Sequence, residues 1–442
     1  MAAARRVLFD AGNHGSPHPS SRGNIWLTPG ETCAIFRGMT PNELFDAALQ
    51  LKGTGWRVAG TSFHGEPKQL EITMEHGSTG RAVCPECGQR CGGYDTVEKR
   101  WRHLNFFQYR CELVARVPRA NCPEHGVRLT TVPWASAGSG FTLLFEALVM
   151  LLAGQMPVSE VARVTGEEDT RLWRLIQRLV DAAHEAKDWS QVRALAVDET
   201  STRRGRCYAT VIVDQDTRAV LFMKQGRDSQ AIADFAVALR AHGGDPAQIE
   251  WVSMDMLHCY TKGVRENFPN AKVVFDRYHL MVMAGECVEL IRRQLQREGA
   301  DLKGSLWALR GNEWNLKPEQ LEVRRTLAQR YKSLGRALAL RDALQDVYEA
   351  PREEGPALLK EWCAWASRSR LEPFQKLVRT IRQYWDGIVS FFNERITNGV
   401  IEAINGIIQL AKRRARGFRN FTYLRTIAYW NTGKLNIDLS AI

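Results

Sequence analysis

Along this chain the spacing of apolar residues changes period several times, and each change predicts an element. Residues 1–39 are rich in Gly, Ser, Pro and His and show no period, which reads as a disordered extension. Order is expected to begin at "TPNELFDAALQL", where Thr40 and Glu43 form a capping box and Pro41 suits the first helical position. "GWRVAGTSFHGEPKQLEITMEH" alternates around a turn-rich centre and predicts a β-hairpin. "WRHLNFFQYRCELVARVPR" reads as strands of a ribbon, and residues 141–186 as three helices.

From Arg193 to about Ile291 the pattern mixes strands and helices. "RALAVDET", "RCYATVIVD" and "RAVLFMK" predict an antiparallel meander, and "SQAIADFAVALRAH" a helix. "IEWVSMD" and "AKVVFD" are further strands with a helix between them, and a long helix starts near Arg277. Residues 300–390 are helical, and Trp307, Trp314, Trp362, Trp365 and Trp385 are expected in their core. "TNGVIEAINGIIQLAKRRARGFRNF" spaces Ile401, Ile404, Ile408, Ala411 and Ala415 as one buried helical face. The fold class is therefore multidomain α/β. The expected divisions are 1–39, 40–135, 136–190, 191–298, 299–390 and 391–442, with no internal repeat.

The formal charge is +11, from 60 Lys and Arg against 49 Asp and Glu, which favours an acidic partner, nucleic acid above all. The longest apolar run, Phe141 to Val158, is broken by Glu146 and too short to span a membrane. The start makes a poor signal peptide, so a cytoplasmic, nucleoid-associated protein is expected. Its ten cysteines then read as thiols or metal ligands rather than disulfides.

Two knuckles stand out. "VCPECG" supplies Cys84 and Cys87, and "NCPEHG" supplies Cys122 and His125. Two paired ligand sets can close one tetrahedral, structural Zn²⁺, and the glycine after each pair suits a tight turn. Cys91 and Cys111 lack a paired partner and are expected to be ordinary thiols. In "PVSEVARVTGEEDTRLWRLIQRLVDAA" a short helix, a Thr165-Gly166 turn and a longer helix suggest a helix-turn-helix. Arg171, Arg174 and Arg178 share one face of the second helix, opposite Leu172, Ile176 and Leu179, and are candidates for DNA contact.

The acids form a third pattern. Asp198, Asp255 and Asp276 each follow an apolar strand, and His279 lies one turn into the next helix. Apolar strands ending in an acid hold a carboxylate rigidly at a sheet edge. Glu402, on the late helix, is placed to close a site of three carboxylates holding two Mg²⁺ or Mn²⁺ ions for phosphoryl transfer. Lys412, Arg413, Arg414, Arg416 and Arg419 follow it and are expected to grip phosphate, and Asn398, Asn405 and Gln409 share its polar side as further DNA contacts.

The strand-helix order with acids at these places resembles the ribonuclease-H-like core of DDE transposases. "VDET", "SMDM", "FDRYHL" and the late helix, with "CPECG", "RWRHLN", "CPEHG" and "VPWA" in front, resemble the bacterial ISL3 insertion-sequence family over roughly residues 40–435. The resemblance implies a zinc ribbon, a helix-turn-helix, a catalytic core and an α-helical insertion. It also implies a triad of Asp198, Asp255 and Glu402, with Asp276 and His279 in support. The implied activity is metal-dependent DNA cleavage and strand transfer at terminal inverted repeats, performed by a homodimer or larger assembly. The rival readings are a DNA-binding regulator that does not cut, and a structure-specific nuclease on the same core.

Overall fold

The computed structural model describes residues 40–77, 81–394 and 399–439. The expected extension 1–39 and Asn398 lie outside the described residues. The chain divides into two compact units, Met1–Thr142 and Leu143–Ile442.

The first unit opens with helix α1 (Pro41–Ala48), capped as its sequence predicts: Thr40 Oγ1 accepts from Glu43 N, and Thr40 N donates to the Glu43 carboxylate. Six strands follow: β1 (Trp56–His64), β2 (Gln69–His76), β3 (Arg81–Val83), β4 (Arg90–Arg102), β5 (Arg110–Cys122) and β6 (Gly126–Leu129). The sheet runs β1-β2-β5-β4-β3, with β6 on β5, and only the β2–β5 pair is parallel. Alternation decides which face is buried. Leu70, Ile72 and Met74 of β2 meet Leu113, Ala115 and Val117 of β5, and Trp101 and Trp56 each meet Trp134 edge to face.

The second unit begins with three helices, α2 (Leu143–Gln155), α3 (Val158–Thr165) and α4 (Asp169–Glu185). Gly166 ends α3 at φ 68°, where a side chain would be strained, so the turn falls at Thr165-Gly166. Next come β7 (Ala194–Arg203), β8 (Cys207–Asp214), β9 (Ala219–Gln225), α5 (Ser229–Ala241), β10 (Trp251–Met254), α6 (His258–Asn267), β11 (Lys272–Phe275) and α7 (Arg277–Arg297). The five-stranded sheet has the order β11-β10-β7-β8-β9; β11, β10 and β7 are parallel, while β7, β8 and β9 form the expected meander. This mixed sheet, helix-flanked, is the ribonuclease-H-like architecture.

Helices α8 (Leu306–Arg310), α9 (Pro318–Arg330), α10 (Lys332–Glu349), α11 (Gly355–Arg368), α12 (Glu372–Gln383) and α13 (Trp385–Glu394) form the insertion, and its apolar interior is continuous with that of the sheet. The expectation of a tryptophan core fails in part. Trp362 is buried and Trp385 half-buried, but Trp307 and Trp314 are 68% and 62% exposed, and Trp365 is exposed as well. Trp307 sits on a one-turn helix that buries Ala308 and Leu309 instead, and Trp365 falls outside the stripe Leu359, Trp362, Cys363 and Ala366. Helices α14 (Gly399–Arg414) and α15 (Phe421–Thr432) close the unit. Ile401, Ile404 and Ile408 are the buried face of α14. Tyr423 of α15 stacks on Trp173 of α4 at 3.9 Å.

Candidate metal and nucleic-acid sites

The knuckle residues come together as a cluster. Cys84, Cys87, Cys122 and His125 place their ligand atoms within 4.8 Å of one another. Cys87 and Cys122 sulfurs are 3.7 Å apart, and His125 Nδ1 is 3.6 Å from Cys122 Sγ and 3.8 Å from Cys84 Sγ. A tetrahedron with Zn–S of about 2.3 Å has S–S edges of about 3.75 Å, so the four ligands fit one Zn²⁺ with no open position. Local geometry sets this up. Gly88 and Gly126 both take φ 70°, turning each knuckle tightly, and Gly88 N donates to Cys84 O. The backbone N–H of His125, aided by its ring, pulls the Cys122 thiol down to about 6, as a metal-binding thiolate requires. Glu86 lies 3.6 Å from His125 Nε2, on the ring nitrogen that faces away from the cluster. This is a structural zinc site. Cys91 donates to Gln89 O and Cys111 is buried in the sheet core, so both behave as ordinary thiols. No disulfide joins the described cysteines.

The helix-turn-helix arginines differ among themselves. Arg171 pairs with Glu167 at 2.6 Å and Arg178 with Glu146 at 2.5 Å, both glutamates being buried. Arg174 is exposed.

The acids gather at one end of the second sheet. Met254 pairs with Val197 and with Phe275, so the next residues, Asp198, Asp255 and Asp276, stand in register on three neighbouring strands. One expectation changes. Asp198 does not end its strand, because β7 continues to Arg203 and Asp198 pairs with Val211 of β8. What ends after Val197 is β10, only four residues long, and that frees one edge of β7 at the acid.

Asp198 Oδ1 accepts from Glu199 N at 2.7 Å, and Oδ2 accepts from Asn405 Nδ2 of α14 at 2.7 Å. Burial, with Asp255 nearby, pushes the Asp198 carboxyl up to about 6. His279 Nδ1 lies 2.8 Å from Asp255 Oδ1, and that carboxylate raises the His279 pKa above its ordinary value. Asp276 is buried and caps α7 by accepting from Tyr278 N at 3.2 Å. Glu402 is exposed, one turn before Asn405 on α14, and lines a cavity of about 720 Å³ with Asp276, Tyr278 and Arg310.

Hard oxygen donors of this kind suit Mg²⁺ or Mn²⁺. Asn405 Oδ1 is buried without a hydrogen-bond partner, a further oxygen beside Asp198. Among the described residues, however, the zinc ligands are the only acidic, His or Cys group of three or more drawn within 4.8 Å. The carboxylates thus share a neighbourhood but are not drawn together as the thiols are.

The polar face of α14 is a clasp on β7. Beyond Asn405, Gln409 donates to Thr200 Oγ1 at 2.7 Å and to Ser201 O at 2.9 Å, and Lys412 donates to Ser201 O. Asn405, Gln409 and Lys412 are thereby engaged with the protein itself. Arg413, Arg414, Arg416 and Arg419 are exposed, and Arg414 reaches Gln155 O at 3.4 Å. The β7 side of this clasp, Thr200 and Ser201, carried no signal in the sequence.

Comparison with known proteins agrees with this layout. Residues 195–428 match a family model described as a transposase, that of the ISL3 DDE enzymes. Residues 130–180 match the helix-turn-helix domain of transposase family ISL3, and residues 80–125 the zinc finger of the IS204, IS1001, IS1096 and IS1165 transposases. The transposase for insertion sequence element IS1557 of Mycobacterium tuberculosis is 29% identical, over 76% of this chain and 82% of its own length. The transposase for insertion sequence element IS1001 of Bordetella parapertussis is also 29% identical, over 77% of this chain and 86% of its own. Among the described residues no helix is long and apolar enough to cross a membrane.

Proposed function

The chain belongs to the ISL3 family of DDE transposases, and on that premise we propose that it binds the terminal inverted repeats of an insertion sequence and catalyses metal-dependent DNA cleavage and strand transfer. The observation that carries this reading is the register of Asp198 with Asp255, joined through Asn405 to the helix that bears Glu402.

Asp198, Asp255 and Glu402 are the residues that would hold two Mg²⁺ or Mn²⁺ ions. Bound there, the ions would polarise the scissile phosphate and lower the pKa of the attacking hydroxyl. The protein's part is placement. Strands β7 and β10 hold two carboxylates on a rigid sheet. His279, aimed by the Asp276 cap, orients Asp255, and Asn405 orients Asp198. Ionised Asp198 is needed for cation binding, so its raised pKa makes the site most receptive above pH 6.

DNA recognition is assigned to the zinc ribbon and to the helix-turn-helix with Arg171, Arg174 and Arg178. Arg413, Arg414, Arg416 and Arg419 would hold backbone phosphates near the cut. Bringing two element ends together calls for a homodimer or larger assembly, acting on chromosomal DNA in the cytoplasm.

The test is a cleavage and strand-transfer assay on the element's own ends with Mg²⁺ or Mn²⁺, comparing wild type with Glu402→Gln. Cutting by the wild type alone, with DNA binding kept in both, is expected. Binding without cutting in both would identify a regulator instead.

A further inference from the structure

Strand β7 and helix α14 run side by side in the same direction, acids at one end and arginines at the other. Asn405 meets Asp198, Gln409 meets Thr200 and Ser201, and past the helix Arg419 O accepts from Arg203 Nη2 at 2.9 Å. That last bond fastens the loop after α14 to the tip of the β7–β8 hairpin. The tip reads "TRRGRC". Arg203 pairs with Cys207, and Arg204, Gly205 and Arg206 make the turn, with Gly205 at φ 90°. Arg203, Arg204 and Arg206 are all exposed, as are Arg416 and Arg419 opposite them.

These five arginines come from segments some two hundred residues apart, which the Arg203–Arg419 hydrogen bond joins only in the folded chain. The nearest acid in the strand, Glu199, already pairs with Arg227 through both oxygens at 3.0 Å. Arg227 in turn lies over the Tyr208 ring, and Arg206, Tyr208, Gly226 and Arg227 line a concavity of about 530 Å³. A hairpin that exposes three arginines around a turn, beside a second arginine loop, has no apolar packing to serve. Exposed cations gathered on two fastened segments, with their nearest strand acid already paired, favour an anionic partner.

We propose that the β7–β8 hairpin tip is a DNA-backbone site, in which Arg203, Arg204 and Arg206 together with Arg416 and Arg419 clamp phosphates a fixed distance from the acids. The proposal rests on the transposase reading above. Strand β7 supplies the distance: the five residues from Asp198 to Arg203 span about 17 Å at about 3.3 Å each. At about 3.4 Å per base pair this ruler puts the clamped phosphates about five base pairs from the cut.

The experiment measures binding of the full chain to a duplex carrying the terminal repeat that flanks its own coding sequence, across a series of salt concentrations. Wild type is compared with Arg204→Ala/Arg206→Ala and with Arg204→Lys/Arg206→Lys, and phosphate-ethylation interference maps the contacts. Losing two phosphate contacts should make the slope of log K against log salt shallower by roughly two. Interference about five base pairs from the cut should vanish in the Ala pair, and the Lys pair should keep the wild-type slope. An Ala pair with unchanged slope and interference pattern would overturn the clamp while leaving the transposase reading intact. A wild type with no salt-dependent binding would overturn that reading, and the clamp with it.

Discussion

The zinc cluster and the proposed carboxylate site are assembled in opposite ways. The zinc ligands sit on two knuckles, each fixed by its own turn glycine, and the β4–β5 ribbon only has to bring two short motifs together. The acids sit on β7, on the residue after β10, and on α14, which packs onto β7 through a polar clasp. The thiol ligands are not free of cost: neighbouring Cys84 and Cys122 help to push the Cys87 thiol up to about 11, while His125 draws Cys122 down. A carboxylate resists burial, and burial first, with repulsion from Asp255 second, raises the Asp198 pKa. The zinc site is encoded locally and complete, whereas the neighbourhood of Asp198 stores the unfavourable charge of a buried acid.

The largest expected effect breaks the zinc side. Cys84→Ser with Cys122→Ser should abolish zinc content and unfold the knuckles, since structural zinc contributes on the order of 10 kcal/mol. Limited proteolysis of the full chain should then cut at the knuckles, within residues 81–92 and 119–129, while leaving the core stretch of β4 and β5 resistant; protected knuckles would count against the zinc assignment.

The carboxylate side should respond in the opposite sense. Asp198→Asn should lower cleavage by at least about a thousandfold, near 4 kcal/mol of transition-state stabilisation. The same change should raise stability at pH 7 when Mg²⁺ and Mn²⁺ are left out. The folded pKa near 6 lies above the unfolded value, so this group's stabilising contribution is full below about pH 4 and is lost as pH rises through 6. Removing the ionisable group should therefore gain up to about 3 kcal/mol at neutral pH. Thermal unfolding of both proteins from acid to neutral pH measures it, and identical curves would refute the stored-charge account.

Asn405→Ala sharpens the comparison further. Losing a donor to the ionised carboxylate should raise the Asp198 pKa again and shift the acidic limb of the cleavage pH profile upward by about half a unit. A profile that stays in place would mean the clasp does not orient Asp198. The smallest effect is expected at Arg174, exposed on α4. Arg174→Ala should leave stability within about 0.5 kcal/mol of wild type while reducing the salt slope by roughly one. No change in slope would remove that residue from the DNA contacts.

Much of this was legible in sequence because it rests on periodicity and short motifs. The capping box at Thr40, the Thr165-Gly166 turn, the β7–β9 meander and the knuckle ligands are each decided within a few residues. The tryptophans of the insertion were not, because whether Trp307 or its neighbour Leu309 is buried depends on which side of a one-turn helix meets α7 and α9. The polar face of α14 was misleading for a related reason. Asn405 and Gln409 look available for DNA in the sequence, but their partners, Asp198 and Thr200, lie some two hundred residues away.

The sequence by itself determined most of the elements, the zinc ligands and that Asp255 and Asp276 follow short apolar strands, since those follow from local turn chemistry and from alternation. Only the tertiary structure decided that the acids of β7, β10 and β11 stand in register, and that α14 lies along β7. It alone also joined the arginines of residues 203–206 to those of residues 416–419. Register and helix docking arise from pairings between distant segments, whose closure no local pattern encodes.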